Sequence, residues 1–202
     1  MPVELKICGI NSKNTIKTIL DNGGCKYLGF VFYHPSPRNI SVQEAKDLTS
    51  IVPNNIKKVA VLVNPENLFV DNIKDQFDYL QLYETSPKKS KELKLLSNKK
   101  IIQAIKVKKK SDINLYKQYI DIADEFLFDS SGMEKSFSFD WSYLKNIEIK
   151  DWFLAGGINI NNLDLAQSIT KKIDISSGLE DNLGEKSIKK ISDFLKKIKI
   201  YD

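Results

Sequence analysis

The chain has almost no arginine. Of its 31 basic residues only Arg38 is one, and the rest are lysine. Histidine is equally scarce, with His34 alone, and there are two cysteines, Cys8 and Cys25. Two cysteines do not make the disulfide framework of a small secreted domain, so a reducing, cytoplasmic compartment is expected. No clustered His, Cys or carboxylate spacing suggests a metal. No segment is apolar for long enough to span a bilayer, and the opening Met1-Pro2-Val3-Glu4-Leu5-Lys6 lacks the apolar run of a signal peptide. A soluble protein with no membrane partner is the expectation. No Gly-x-Gly-x-x-Gly turn follows the first apolar run, which disfavours a doubly wound dinucleotide-binding sheet.

The net charge of +5 comes from lysines scattered along the whole length. Nucleic-acid binders cluster their basic residues on one face, often with arginine and exposed aromatics. Scattered lysine is the pattern of solvated helix faces, so no nucleic-acid partner is expected. Against that background Arg38, in Ser36-Pro37-Arg38, stands out. Arginine offers a planar fork that grips a carboxylate or phosphate through two parallel hydrogen bonds, which lysine cannot do. Pro37 stiffens the loop just before it. Arg38 is therefore the first candidate for holding an anionic small molecule, set against the plain alternative that a single arginine falls there by chance.

What the sequence does contain is alternation. Eight short apolar runs begin at Leu5, Tyr27, Val59, Tyr79, Ile101, Glu125, Trp152 and Ile173, each short enough for a strand buried on both faces. Amphipathic lysine-rich segments lie between them. Asn11 or Ser12 can cap a helix from Asn14 to Leu20, ended by Gly23-Gly24, and Ser41 with Glu44 reads as a capping box. Pro65 suits the first turn of a third helix. Glu92 to Leu96, Asp112 to Tyr119 and Ile188 to Ile198 also carry helical spacing, whereas Phe137 to Asn146 has room only for a short helix. Strand–helix alternation implies a parallel sheet, and eight units in 202 residues point to an α/β single-domain (β/α)8 barrel spanning residues 1–202.

In such a barrel the chemistry gathers at the carboxyl ends of the strands. Those ends read Cys8-Gly9, the loop with His34 and Arg38, Asn64, Gln81-Leu82-Tyr83, Asp129, Gly156-Gly157, and Ser176-Ser177-Gly178. Glycine turns after the seventh and eighth strands allow backbone N–H groups close to an anion and predict a phosphate cradle; their alternative is two tight turns. Cys8 and Asp129 are the candidates for proton transfer. A thiolate serves as a base if its pKa is lowered, and a carboxylic acid donates if burial raises its pKa. Their alternatives are a small buried hydrophobe and a turn cap. His34 reads as an exposed loop residue, and Cys25 needs no functional reading.

Lys6-Ile7-Cys8-Gly9-Ile10, Gly29-Phe30-Val31-Phe32 through Ser36-Pro37-Arg38, Leu80-Gln81-Leu82, Leu154-Ala155-Gly156-Gly157-Ile158 and Asp174-Ile175-Ser176-Ser177-Gly178-Leu179-Glu180 together resemble phosphoribosylanthranilate isomerase, in order and over almost the whole chain. The resemblance implies a cofactor-free barrel of tryptophan biosynthesis. Its reaction would be the Amadori rearrangement of N-(5-phosphoribosyl)anthranilate to 1-(2-carboxyphenylamino)-1-deoxyribulose 5-phosphate. By resemblance Asp129 is the general acid at the ribose ring oxygen, and Cys8 is the general base at C2′. Arg38 would pair with the anthranilate carboxylate, and Gln81 joins the substrate contacts. Gly156, Gly157, Ser176, Ser177 and Gly178 would hold the phosphate.

Two departures stand out. The family reads Leu-Gln-Leu-His-Gly where this chain has Leu80-Gln81-Leu82-Tyr83-Glu84, so no histidine role carries over. The loop after Asp129 is shorter and has one glycine, Gly132, in place of a Gly-Gly-x-Gly run. The competing readings are a barrel that binds a phosphorylated ligand without catalysis and, more remotely, a basic nucleic-acid-binding protein. Retention of both Cys8 and Asp129 argues against the first, and arginine scarcity against the second.

Overall fold

The structure is a computed structural model that describes residues 3–130, 139–145, 147–150 and 152–199. Eight parallel strands close on themselves in chain order: β1 (Glu4–Cys8), β2 (Cys25–Phe32), β3 (Lys57–Val63), β4 (Tyr79–Tyr83), β5 (Lys100–Val107), β6 (Glu125–Ser130), β7 (Trp152–Leu154) and β8 (Lys172–Ile175). The ring is sealed where Lys6 of β1 pairs with Asp174 of β8. All eight apolar runs of the sequence lie on these strands.

Strand alternation sorts the side chains into two layers. Leu5, Ile7, Leu28, Phe30, Leu80, Leu82, Phe126 and Phe128 face outward and join the larger apolar cluster under the helices. Cys8, Tyr27, Val31, Val59, Val61, Tyr79, Tyr83, Leu127, Phe153 and Ala155 face inward and fill the barrel. Tyr27 packs edge-on against both Tyr79 and Phe153, with ring centres 5.7 and 5.2 Å apart, and plugs one end of the interior. The opposite end, at the strand C-termini, is open among the described residues.

The helices follow their caps. In α1 (Lys13–Asn22) Ser12 accepts from the Thr15 N–H and Gly23 terminates the helix. In α2 (Val42–Thr49) Ser41 and Glu44 form the expected reciprocal capping box. The third helix, α3 (Asn67–Ile73), begins two residues beyond Pro65, with Glu66 at its N-cap, so Pro65 stands outside the first turn. The proline instead belongs to the turn after Asn64, whose backbone is left-handed (φ 40°). Next, α4 (Pro87–Ser97) runs longer than the Glu92–Leu96 core, because Ser86 caps it and Pro87 opens it. The segment Lys110–Tyr119 forms a 3-10 helix that buries only Ile113 and Tyr116, and Trp141–Leu144 is one 3-10 turn. The barrel is completed by α5 (Leu163–Ile169) and α6 (Ile188–Lys199), the latter burying Ile191, Phe194, Leu195 and Ile198 as one stripe.

Between β8 and α6 the chain adds a small antiparallel hairpin, β9 (Glu180–Asn182) and β10 (Glu185–Lys186). Its turn residue Gly184 has φ 85°, and a Cβ there would meet the Pro37 carbonyl at 2.5 Å, so glycine is required for the hairpin to lie against the Ser36-Pro37-Arg38 loop. Asn11 anchors the same turn by donating to the Gly184 carbonyl at 2.9 Å. The single-glycine loop after Asp129, residues 131–137, lies outside the described residues.

Candidate active site

The open end of the barrel holds a cleft of ≈ 800 Å³, counting its open solvent. Cys8 lies at the end of β1, Asp129 near the end of β6, and Arg38 in the loop after β2, and all three line it. Gly156 and Gly157 after β7 line it too, as do Ser176 and Ser177 after β8. Val31, Val61, Val63, Tyr33 and Ile158 supply an apolar bed between the polar groups. Seven of the nine residues singled out in the sequence thus meet in one cleft. Gln81 and Gly178 are outside its lining. Gln81 is fully buried beneath the floor, where its amide donates to the Tyr83 hydroxyl at 3.1 Å. At Gly178 a Cβ would meet the Ile158 carbonyl at 2.0 Å, so this glycine lets the two turns touch. His34 is exposed and outside the cleft.

Asp129 is bonded on both carboxylate oxygens. Oδ1 accepts from the Ser130 N–H at 2.8 Å, and Oδ2 accepts from the Tyr83 hydroxyl at 2.9 Å. Asp129 lines the cleft. Burial in these protein walls pushes the carboxyl up to about 6, against the pull of Tyr83 and Ser130 toward the ionised form. That value suits a group which must be protonated part of the time near neutral pH.

The thiol of Cys8 departs from the sequence expectation of a lowered pKa. Burial pushes it above its ordinary value, and the Lys6 ammonium, the next largest influence, only partly opposes this. Lys6 is fully buried and donates to Asp174 Oδ2 at 3.0 Å. Burial disfavours its charge, but Asp174 and Cys8 outweigh burial and raise the Lys6 ammonium, while burial raises the Asp174 carboxyl against the pull of Lys6.

Arg38 also departs from expectation. Its fork is already filled by a carboxylate of the protein: Nε donates to Glu180 Oε1 at 2.6 Å and Nη2 to Oε2 at 2.8 Å. Lys186 of β10 and the Gly184 N–H donate to the same carboxylate at 2.6 and 3.1 Å. Arg38 and Lys186 hold Glu180 down to about 2 although burial, the largest single influence, pushes the other way. Arg38 is buried, not a free loop residue on the rim.

Sequence reading gave no role to Tyr83, Lys6, Asp174, Glu180 or Lys106, all of which line or support the cleft. The signal for two of them was available. A charge inside a doubly buried strand, as at Lys6 and Asp174, must face either the barrel interior or nothing. Lys106, which is paired with Glu84, and Tyr83 are visible only once β4 and β5 are set beside β6.

A family model described as N-(5'phosphoribosyl)anthranilate (PRA) isomerase matches residues 5–197. The N-(5'-phosphoribosyl)anthranilate isomerase of Paramagnetospirillum magneticum is 32% identical, with 97% of each chain covered. The crystal structure of phosphoribosyl anthranilate isomerase from Thermotoga maritima superposes with a TM-score of 0.88 at 27% identity, covering 98% of both chains. A crystal structure of the isomerase in complex with reduced 1-(o-carboxyphenylamino)-1-deoxyribulose 5-phosphate has a TM-score of 0.83 at 26% identity, again over 98% of both. This chain belongs to the N-(5'-phosphoribosyl)anthranilate isomerase family.

Proposed function

We propose that the cleft carries out the family's Amadori rearrangement of N-(5'-phosphoribosyl)anthranilate with Asp129 as general acid and Cys8 as general base. The observation that carries the assignment is that the two groups line one cleft from β6 and β1. Asp129 gives its proton to the ribose ring oxygen as the C1′–O bond breaks and the anthranilate nitrogen forms the iminium. The Cys8 thiolate takes the C2′ proton, and its electron pair moves to neutralise the iminium, leaving an enolamine that becomes the ketone. Asp129 ends without a proton and Cys8 with one, and exchange through solvent in the open cleft resets both.

The phosphate of the substrate belongs at Gly156-Gly157 and Ser176-Ser177. Gly156 and Gly157 have φ of 85° and 69°, a backbone that favours glycine and leaves no Cβ to obstruct an anion. The Gly157 carbonyl is taken up by Asn159 and Asn162 at 3.1 and 2.9 Å. The anthranilate ring fits the apolar bed, and its carboxylate meets the edge of Arg38 that Glu180 leaves unused. Gln81 serves through Tyr83, and Gly178 by joining the two phosphate turns. The substrate is a small phosphorylated molecule. Two free buried cysteines fit a cytoplasmic setting.

The test follows the loss of phosphoribosylanthranilate fluorescence in a coupled assay with the purified chain. Enzyme-dependent loss is expected. Saturable binding of substrate without turnover would support the non-catalytic barrel in its place.

A further inference from the structure

Lys6 is fully buried, yet the acid–base scheme gives it no part. It precedes Cys8 by two residues on β1, so the pleat sets both on the inner face. The neighbouring strand makes room for them. Gly29 is the register partner of Cys8, and a Cβ at Gly29 would lie 2.8 Å from the Cys8 sulfur and 3.0 Å from the Lys6 nitrogen. The ammonium and the sulfur therefore converge on one point that only glycine leaves empty. Besides its 3.0 Å bond to Asp174 Oδ2, the Lys6 ammonium acts electrostatically on the nearby Cys8 sulfur. Among the described residues the second oxygen of Asp174, Oδ1, is buried without a hydrogen-bond partner, and Asp174 lines the cleft. A buried ion pair contributes little net stability, and one with an unfilled acceptor contributes less.

We infer that Lys6 is the positioning residue that holds Cys8 as a thiolate, and that Asp174 competes with the sulfur for the Lys6 ammonium. The inference rests on Cys8 being the base. At rest burial keeps the proton on Cys8, and the Asp174 carboxylate adds to this by drawing Lys6 toward itself and repelling a thiolate. A substrate hydroxyl that donates to Asp174 Oδ1 fills the open acceptor and spreads the carboxylate charge. More of the ammonium then falls to the sulfur, the thiol proton passes to water in the cleft, and the thiolate is ready for the C2′ proton. The other charged or titratable groups that act on this sulfur are Lys186 of β10, Arg38 after β2 and Tyr83 of β4, with Asp129 of β6 across the cleft. Lys186 and Arg38 are already committed to Glu180. Lys6 is the cation whose share can shift.

The experiment uses the full chain with Cys25→Ala, so that Cys8 is the only thiol. Cys8 is titrated by its ultraviolet thiolate absorbance and by its rate of alkylation with iodoacetamide across pH. Asp174→Asn keeps the shape and removes the competing charge. It should raise the alkylation rate near neutral pH roughly tenfold or more, as loss of a close like charge does. Lys6→Met should lower the rate by a similar factor, and Asp174→Glu should restore it toward the parent. If Lys6→Met does not fold, the near-isosteric Asp174→Asn decides alone. A Cys8 that titrates identically in Asp174→Asn and the parent overturns the inference, even if Cys8→Ser is inactive. A shifted titration in a chain whose Cys8→Ser variant keeps full turnover removes the base assignment, and the inference falls with it.

Discussion

Arg38 and Glu180, 142 residues apart in sequence, form a buried two-pronged ion pair with contacts of 2.6 and 2.8 Å. A chain with a single arginine has it where a planar fork meets a carboxylate. That carboxylate is Glu180, on the hairpin between β8 and α6. The pair joins the loop after β2 to the hairpin and holds the guanidinium plane at the cleft wall.

Arg38→Lys should therefore cost stability as well as substrate affinity. Lysine keeps the charge and loses one of two charge-assisted bonds, about 1–3 kcal/mol. In a chain of this size that is a fall of roughly 3–10 °C in Tm, accompanied by a raised KM. Glu180 sits at about 2 in the folded state against an ordinary 4.5. Its contribution is complete above about 4.5 and is lost as the pH falls through about 2, so Glu180→Gln should flatten the acid side of the stability curve. Thermal melts of both variants across pH check this. An unchanged Tm in Arg38→Lys would mean the pair does not hold the hairpin.

The barrel was legible because its signal is local. Eight short apolar runs separated by capped amphipathic segments need only strand and helix periodicity, and the caps at Ser12 and Ser41 are written within three residues. Positions at strand ends were legible for the same reason, which brought Cys8, Asp129 and both glycine turns to one rim. Partnerships between strands were not. Nothing near Arg38 in sequence announces Glu180, and nothing near Asp129 announces Tyr83. The direction of the Cys8 pKa was not legible because burial, which a sequence does not display, outweighs the nearby lysine. Pro65 and the 3-10 segment Lys110–Tyr119 were misjudged because helical spacing alone does not fix where a helix begins or how tightly it winds.

Cys8→Ser and Asp129→Asn should each lower turnover by roughly 100- to 10,000-fold, the usual contribution of a positioned acid or base. Both replacements are close in shape, so far-ultraviolet circular dichroism and Tm should stay near the parent. Asp129→Asn should even gain slightly in stability above pH 6, because it removes a buried carboxylate that burial holds up to about 6. Parent-like kinetics in either variant would sink the acid–base assignment.

Tyr83→Phe should move the acid limb of the kcat/KM profile to higher pH. The reactive form has Asp129 protonated and Cys8 ionised, and it carries the same number of protons as the resting form with those states exchanged. The plateau therefore begins near the Asp129 value of about 6 and ends near that of Cys8. The Tyr83 hydroxyl stabilises the ionised carboxylate at 2.9 Å, so its loss leaves burial opposed only by Ser130 and Lys6 and raises Asp129. An acid limb that stays in place would show that Tyr83 touches Asp129 without tuning it.

Inorganic phosphate should inhibit competitively, and Gly178→Ala should weaken that inhibition. Phosphate competes only if it occupies the substrate's own phosphate position, which the cleft offers at Gly156-Gly157 and Ser176-Ser177. Gly178 is outside the cleft lining, but a methyl group there would approach the Ile158 carbonyl to 2.0 Å, so the turns after β7 and β8 must separate. Two half-sites pulled apart lose the simultaneous contacts that bind one anion. The phosphate inhibition constant should rise roughly tenfold or more, and KM with it. The thiol titration of Cys8 should stay where it was, since Lys6 and Asp174 lie on β1 and β8, below the moved turns. Steady-state inhibition kinetics and the titration on this one variant separate the outcomes. An unchanged phosphate constant would place the anion elsewhere, and the lysine-rich outer surface would be the next site to examine.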